Sequence, residues 1–169
     1  MLICETARLQ LRRFTIDDAP FIYHLLNSPT WLIYIGDRNV RGIHDARNYL
    51  INGPLASYDQ YGFGLYLVAL KEEKTPIGMT GLIKRDGLEE VDIGFAFLPA
   101  YTGKGYAYEA ANAIKDYALT TLKLPRVAAI TTEKNDHAIA LLNKIGLHHE
   151  KMVQLPGSSM EFMYFSTNG

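Results

Sequence analysis

The sequence predicts an α/β (α+β) chain built on a mixed, twisted sheet of about seven strands flanked by about four helices. Three observations carry this. Strand-like segments, alternating at period two or running apolar over a few residues, recur seven times, and segments with helical spacing recur four times. Three of the strands follow one another between residues 62 and 98 through short polar turns, as in an antiparallel meander. The last of these passes through a glycine-bearing turn into a long helix and a further strand, a crossover that brings parallel pairing. With 169 residues, 48% of them hydrophobic, the chain is long enough to bury about 70% of its unfolded surface, so residues 1–169 are expected to form a single domain.

Residues 7–14, ARLQLRRF, alternate apolar and polar side chains and read as a half-buried strand with Leu9 and Leu11 inward. A helix is expected over 17–26. Pro20 is tolerated only in a first turn, so Asp17 is the expected N-cap, and Phe21, Ile22, Leu25 and Leu26 make the inward stripe. Asn27-Ser28-Pro29 ends it, and 30–35, TWLIYI, is a short aromatic-rich stretch. A second helix over 43–51 turns Ile43, Ala46 and Leu50 inward and stops at Asn52-Gly53-Pro54. Strands follow over 62–71, 76–84 and 90–98, the last two joined at Asp86-Gly87, a tight-hairpin signal.

The helix over 105–122 carries Ala107, Ala110, Ala111, Ile114 and Ala118 on one face, small enough to lie close against a sheet. Helical geometry is disfavoured at Leu124 by Pro125. Residues 126–132, RVAAITT, then suit a covered strand parallel to 90–98. Asn135 reads as the N-cap of a last helix whose inward face holds Ala138, Ile139, Leu141, Leu142 and Ile145, with Gly146 as C-cap. Strands over 148–155 and 160–166 close the chain.

The stretch 91–111, VDIGFAFLPAYTGKGYAYEAA, sets a strand, a glycine turn and a helix N-terminus in a row. The first helical turn leaves backbone N–H groups without partners and adds roughly half a positive charge, which suits a phosphate. Gly103 and Gly105 let the backbone come close to it. The spacing is not that of a P-loop, and Tyr108 stands where a Rossmann fingerprint needs a small residue. An acyl-coenzyme A site and an ordinary strand-to-helix turn both remain open on these residues.

Ala100-Tyr101-Thr102-Gly103-Lys104-Gly105 resembles the pyrophosphate-binding loop of the GNAT superfamily of acyl-CoA-dependent N-acyltransferases, [RQ]-x-x-G-x-[GA], with Ala100 in place of Arg or Gln. Residues 98–109 look like the branch containing the ribosomal-protein N-terminal alanine acetyltransferases. Residues 135–147, NDHAIALLNKIGL, resemble that branch's N-x-x-[SA]-x-x-[LV]-x-x-K-x-G-F segment. The order β-α-α-β-β-β-α-β-α-β-β is that of the superfamily over essentially the whole chain. The resemblance implies the GNAT fold with a splayed sheet. It also implies an N-acetyltransferase with acetyl-CoA as co-substrate and no metal, in which a primary amine attacks the thioester directly in a ternary complex.

It implies roles as well. Backbone amides of Thr102, Gly103, Lys104, Gly105, Tyr106 and Ala107 would cradle the pyrophosphate, and Lys104 would either reach a phosphate or remain a solvated loop lysine. Phe97 and Leu98 would pair their backbone with the pantetheine arm, which needs an unzipped edge between 90–98 and 126–132. Asn135 would bond the pantetheine or the sulfur, cap the helix, or do both. Trp31 and Tyr34 would line the acceptor pocket or be core side chains under a loop. An α-amine is about one-tenth neutral at pH 7, against roughly one in 2,500 for a lysine amine, so an α-amine acceptor needs little help in losing its proton. Asp92 is the candidate general base or amine anchor, an ion-paired strand carboxylate being the alternative. Leu142 and Ala138 stand where the family often has tyrosine and serine, so no general acid is evident; a thiolate with a pKa near 8.5 leaves without one.

Composition removes other classes. The net charge is −1, from 17 basic and 18 acidic side chains, with no basic run of the kind nucleic acid demands, so no nucleic-acid partner is expected. Cys4 alone excludes an internal disulfide or a Cys-based zinc site. Adjacent His148 and His149 point to opposite faces of a strand, which predicts no metal. No signal-peptide core or membrane-length apolar run is present, so no membrane partner and a cytoplasmic location are expected. The acceptor is a protein N-terminus or a small-molecule amine, and the chain a monomer or homodimer. A non-catalytic acyl-CoA-binding or sensing module, and a nucleotide-binding regulator, are the competing functions.

Overall fold

The computed structural model describes residues 1–35 and 37–167, with the side chains of Ile33 and Tyr34 outside that description. The chain opens on a hairpin, β1 (Leu2–Glu5) with β2 (Leu9–Arg13), paired antiparallel. β1 was not among the expected strands. Its four residues, LICE, are at most half-buried at a sheet edge, where packing imposes no alternation. Leu9 and Leu11 are fully buried, as their alternation predicts.

Entry into the first helix runs through a 3₁₀ turn, Ile16–Asp18, and α1 (Ala19–Leu26). The expected N-cap, Asp17, is not the cap. Thr15 accepts from the Asp17 N–H while Asp18 accepts from the Thr15 N–H, a reciprocal box that satisfies two orphan donors at once. Asp18 is further held by Arg12 through two bonds of 2.9 Å. The aromatic stretch is a helix, α2 (Pro29–Tyr34).

α3 (Ile43–Leu50) does not stop at Asn52-Gly53-Pro54 as expected. It continues through a π-helical turn, Ile51–Leu55, into α4 (Ala56–Tyr61). Widening to i→i+5 spacing absorbs Pro54, which has no N–H to donate. The helix ends at the next glycine, Gly62, at φ +80 with its N–H on the Tyr58 carbonyl at 2.9 Å.

β3 (Leu65–Leu70), β4 (Pro76–Ile83) and β5 (Asp92–Phe97) form the expected antiparallel meander. After a 3₁₀ turn at Pro99–Tyr101 come α5 (Tyr106–Asp116), prolonged by a π turn at Tyr117–Thr121, and β6 (Ala128–Thr131). Next are α6 (Asp136–Lys144), β7 (His148–Gln154) and β8 (Glu161–Ser166). Among the described residues the sheet has eight strands, one more than expected, in the order β1-β2-β3-β4-β5-β6-β8-β7. Every neighbouring pair is antiparallel except β5 with β6.

Both faces are covered. Leu9, Leu11, Tyr66 and Val68 pack in one core with Ala110, Ala111 and Ile114 of α5 and Leu142 of α6. Leu67 and Met79 pack in the other with Ile22 and Leu25 of α1, Trp31 of α2 and Leu50 of α3. The alanine face of α5 therefore works as the sequence predicts, bringing the helix against the sheet and fixing its N-terminus beside the strand it follows. Among the described residues, no helix is long and apolar enough to cross a membrane.

Candidate active site

The parallel pair β5/β6 is joined at one end only. Its register holds a single pair, Asp92↔Ala128, beside a bond from the Ala128 N–H to the Val91 carbonyl at 2.9 Å. Past that point the strands part, leaving a wedge with Asp92 at its closed end. Leu98 lies at the open end, about 20 Å further along at the rise of an extended strand. The Leu98 N–H is committed to the Ile77 carbonyl at 2.9 Å. By the alternation of an antiparallel ladder, the N–H and C=O of Phe95 and Phe97 therefore point to the opposite edge, into the wedge. Of the two residues expected to offer backbone here, Phe97 does and Leu98 faces β4.

At the open end stands the glycine turn. Gly103 lies at φ +75 and Gly105 at φ +84, and Gly105 is the N-cap of α5 with no side-chain cap on the helix. The first-turn amides of α5 are thus uncapped, and the residues from Thr102 to Ala107 expected around a diphosphate are together in one turn. A Cβ on Gly105 would lie 3.3 Å from Arg8 Nη2, whereas one on Gly103 would meet nothing within 4 Å. The Thr102 hydroxyl donates to the Pro99 carbonyl at 2.8 Å, closing the preceding turn, and Lys104 is exposed.

Arg8, from the β1–β2 turn, braces this loop and was not among the expected residues. Its Nη1 donates to the Lys104 carbonyl at 3.1 Å, its Nε to Glu109 at 2.8 Å, and its guanidinium lies 4.3 Å from the centre of the Tyr106 ring. Burial works against the charged form of Glu109, but bonds from Thr6 and Arg8 outweigh it and hold its pKa below the ordinary value. The carboxylate beside the helix N-terminus is thereby neutralised by its own arginine.

Asn135 caps α6, its Oδ1 accepting from the Ala138 N–H at 3.2 Å, and stands just beyond β6 at the open end of the wedge. Leu142 is buried in the core with α5 and Ala138 is buried in the first turn of α6, so neither supplies a hydroxyl or any acid. Trp31 is 5% exposed and packs in the α1–α3 core. Tyr34 ends α2, and its side chain lies outside the described residues.

Asp92 is 1% exposed, and Arg85 Nε donates to both its oxygens at 3.1 and 3.0 Å. Burial raises its pKa to about 6 against the opposing pull of Arg85. Beside it lies a group that sequence reasoning did not assemble. Tyr49, half-buried on α3, has its hydroxyl pKa raised by burial and opposed by Arg38 and Arg85. Arg38, Tyr49, Asn52 and Lys84 line a cleft of about 500 Å³ between the α3–α4 helix and the closed-end residues of β3 and β4. These residues come from three separated segments, and no local pattern links them. Among the described residues, no group of three or more His, Cys, Asp or Glu could hold a metal ion.

Comparison with known proteins bears on the family and the fold. Residues 8–148 match the family model described as an acetyltransferase (GNAT) domain. YnaD of Bacillus subtilis, an uncharacterized N-acetyltransferase, is 29% identical over 145 residues, covering 86% of this chain and 82% of its own. A GNAT-family acetyltransferase structure from Bacillus anthracis superposes with a TM-score of 0.80 at 26% identity, covering 98% of this chain and 97% of that one. The fold is shared also with RimL, a ribosomal L7/L12 α-N-protein acetyltransferase solved in complex with coenzyme A, at a TM-score of 0.83 and 15% identity over 98% and 97% of the two chains.

Proposed function

The chain belongs to the GNAT acetyltransferase family, and from that premise we propose that it moves an acetyl group from acetyl-CoA to a primary amine by direct attack in a ternary complex. The observation that carries this is the one-ended pairing of β5 with β6, which opens onto the uncapped N-terminus of α5. The amides of residues 102–107 bind the diphosphate, assisted by the α5 dipole. Phe95 and Phe97 offer backbone groups to the amide-bearing pantetheine arm, and Asn135, its Oδ1 occupied by the cap, offers Nδ2. An arm extended from the turn along β5 brings the thioester toward the closed end of the wedge. The amine enters from the α1–α3 side of the sheet, over the core in which Trp31 is packed.

Asp92 is the proposed base. A carboxylate held near pKa 6 by burial is close enough to neutrality to accept the amine proton through water. Arg85, which holds both oxygens, fixes its direction. The thiolate leaves without a dedicated acid, consistent with buried Leu142. Thiol release from acetyl-CoA with a panel of amines tests the reaction: amine-dependent release is expected, and binding of the coenzyme with no release for any amine would make the chain an acyl-CoA-binding module. Asp92→Asn should lower kcat by about a hundredfold or more and remove the acidic limb of the pH–rate profile. An unchanged profile takes the base role from Asp92.

A further inference from the structure

We infer that the acceptor amine carries a carboxylate close to its reacting nitrogen, held in the donor-lined cleft of Arg38, Tyr49, Asn52 and Lys84. The inference deepens the acetyl-transfer reading and rests on it for the identity of the occupant as an acceptor. The cleft of about 500 Å³ runs through shared residues Arg38, Tyr49, Asn52 and Gly53 into a second bay of about 410 Å³. It reaches Ile83, which pairs with Asp92 at the closed end of the wedge, and Tyr49 lies in the field of the same Arg85 that holds Asp92. A ligand seated here therefore lies one strand from Asp92, on the β4 side of the closed end.

The walls present hydrogen-bond donors. Arg38 is exposed at the mouth and has no carboxylate partner among the described residues, although Arg41 beside it is paired with Asp37. Lys84 gives one of its three protons to the Leu88 carbonyl at 2.8 Å and keeps two. The Asn48 and Asn52 amides and the Tyr49 hydroxyl complete the set. Among the described lining residues the one carboxylate is Asp45, in the second bay, and its Oδ2 already accepts from the Arg41 N–H at 3.0 Å. A guanidinium fork, an ammonium and a phenol lining one cleft suit a carboxylate, which accepts on both oxygens. A polyamine would instead need carboxylates to take its second and third charges.

The test uses the full chain with three peptide amides of matched size, Ala-Glu-Glu-amide, Ala-Gln-Gln-amide and Ala-Lys-Lys-amide, together with spermidine and free glutamate. Binding is read by calorimetry in the presence of coenzyme A, and turnover by thiol release from acetyl-CoA. The acidic peptide should bind about tenfold tighter than the neutral one, with the basic ligands weaker still, and added salt should narrow the gap. Arg38→Ala should remove most of the preference and Arg38→Glu should reverse its order, with the thermal midpoint unmoved because Arg38 is exposed and makes no ion pair among the described residues. Equal affinity for acidic and neutral peptides, a preference for the basic ones, or a preference indifferent to Arg38→Glu overturns the inference. Acidic preference in binding without turnover would defeat the acetyl-transfer reading alone, and turnover without charge preference would defeat this one alone. Glutamate matching the acidic peptide identifies a small-molecule acceptor; the peptide alone identifies a chain terminus.

Discussion

Gly105→Val is expected to weaken coenzyme A binding at least thirtyfold while leaving the fold in place. Gly105 sits at φ +84 as the N-cap of α5, a conformation that costs a side-chain-bearing residue about 1–2 kcal/mol and a β-branched one more. The added Cβ would also stand 3.3 Å from Arg8 Nη2, in the contact that braces the turn. To relieve both, the turn must rotate, and the amides from 103 to 107 no longer converge. At 1.4 kcal/mol per factor of ten, a misplaced diphosphate cradle of this kind reaches that loss readily. Gly103→Ala is the control: its Cβ meets nothing within 4 Å, so only the backbone penalty at φ +75 applies and the loss should be about tenfold or less. Calorimetric titration with coenzyme A and a thermal melt of each variant decide the matter. Affinity for Gly105→Val within threefold of the parent contradicts the proposed role of the turn.

Arg85→Ala should lower stability by about 3 kcal/mol at pH 8 and by little at pH 5. The sign follows from Asp92. Its carboxyl, ordinarily near 3.8, is raised by burial to about 6 in the folded chain, so between those values the unfolded chain has already lost the proton that the folded one keeps. Asp92 therefore withdraws stability as pH rises across that window, and the withdrawal is complete above about pH 6. Arg85 limits it by holding both oxygens. Without Arg85 the folded pKa rises further, the window extends upward, and a bare carboxylate is left in a site 1% exposed. At pH 5 Asp92 is largely protonated with or without its partner, so the substitution strands no charge. Urea denaturation at the two pH values reads the difference directly, and equal losses at both would show that the pair does not govern the closed end of the wedge.

Most of the fold was legible because its signals are local. Leu9 and Leu11 alternate as a half-buried strand must, the alanines of α5 recur on one face, and Asn135 and Gly146 bracket α6 as caps. What was not legible depends on contacts beyond the segment itself. LICE forms an edge strand because Leu9–Arg13 is there to pair with it. Asn52-Gly53-Pro54 reads as a stop by every local rule, yet Pro54 is buried and the helix widens by one residue per turn to pass it. Asp17 lost the cap to Thr15 because Asp18 closes the reciprocal box and Arg12 secures Asp18.

The same division holds at the candidate site. The glycine turn was readable, since a strand, two glycines and an alanine-faced helix follow one another in the chain, whereas the wedge was expected only from the family resemblance. Arg8 was not, because its partner Glu109 lies 101 residues away. Arg38, Tyr49 and Lys84 belong to a loop, a helix and a strand end that only the fold brings around one cleft. Tyr49 in particular reads as one more apolar position on the inward stripe of α3, and its hydroxyl gains meaning only from Arg38 and Arg85 nearby.

The claim most in need of direct measurement is that the uncapped amides at Gly103–Gly105 and the start of α5 hold a diphosphate at the mouth of the β5/β6 wedge. A crystal structure of the complex with acetyl-CoA measures it. The expected result has diphosphate oxygens about 3 Å from the N–H groups of residues 103–107 and the pantetheine arm lying in the wedge against Phe95 and Phe97. Coenzyme density elsewhere, with the turn bare or the two strands zipped beyond Asp92↔Ala128, contradicts it.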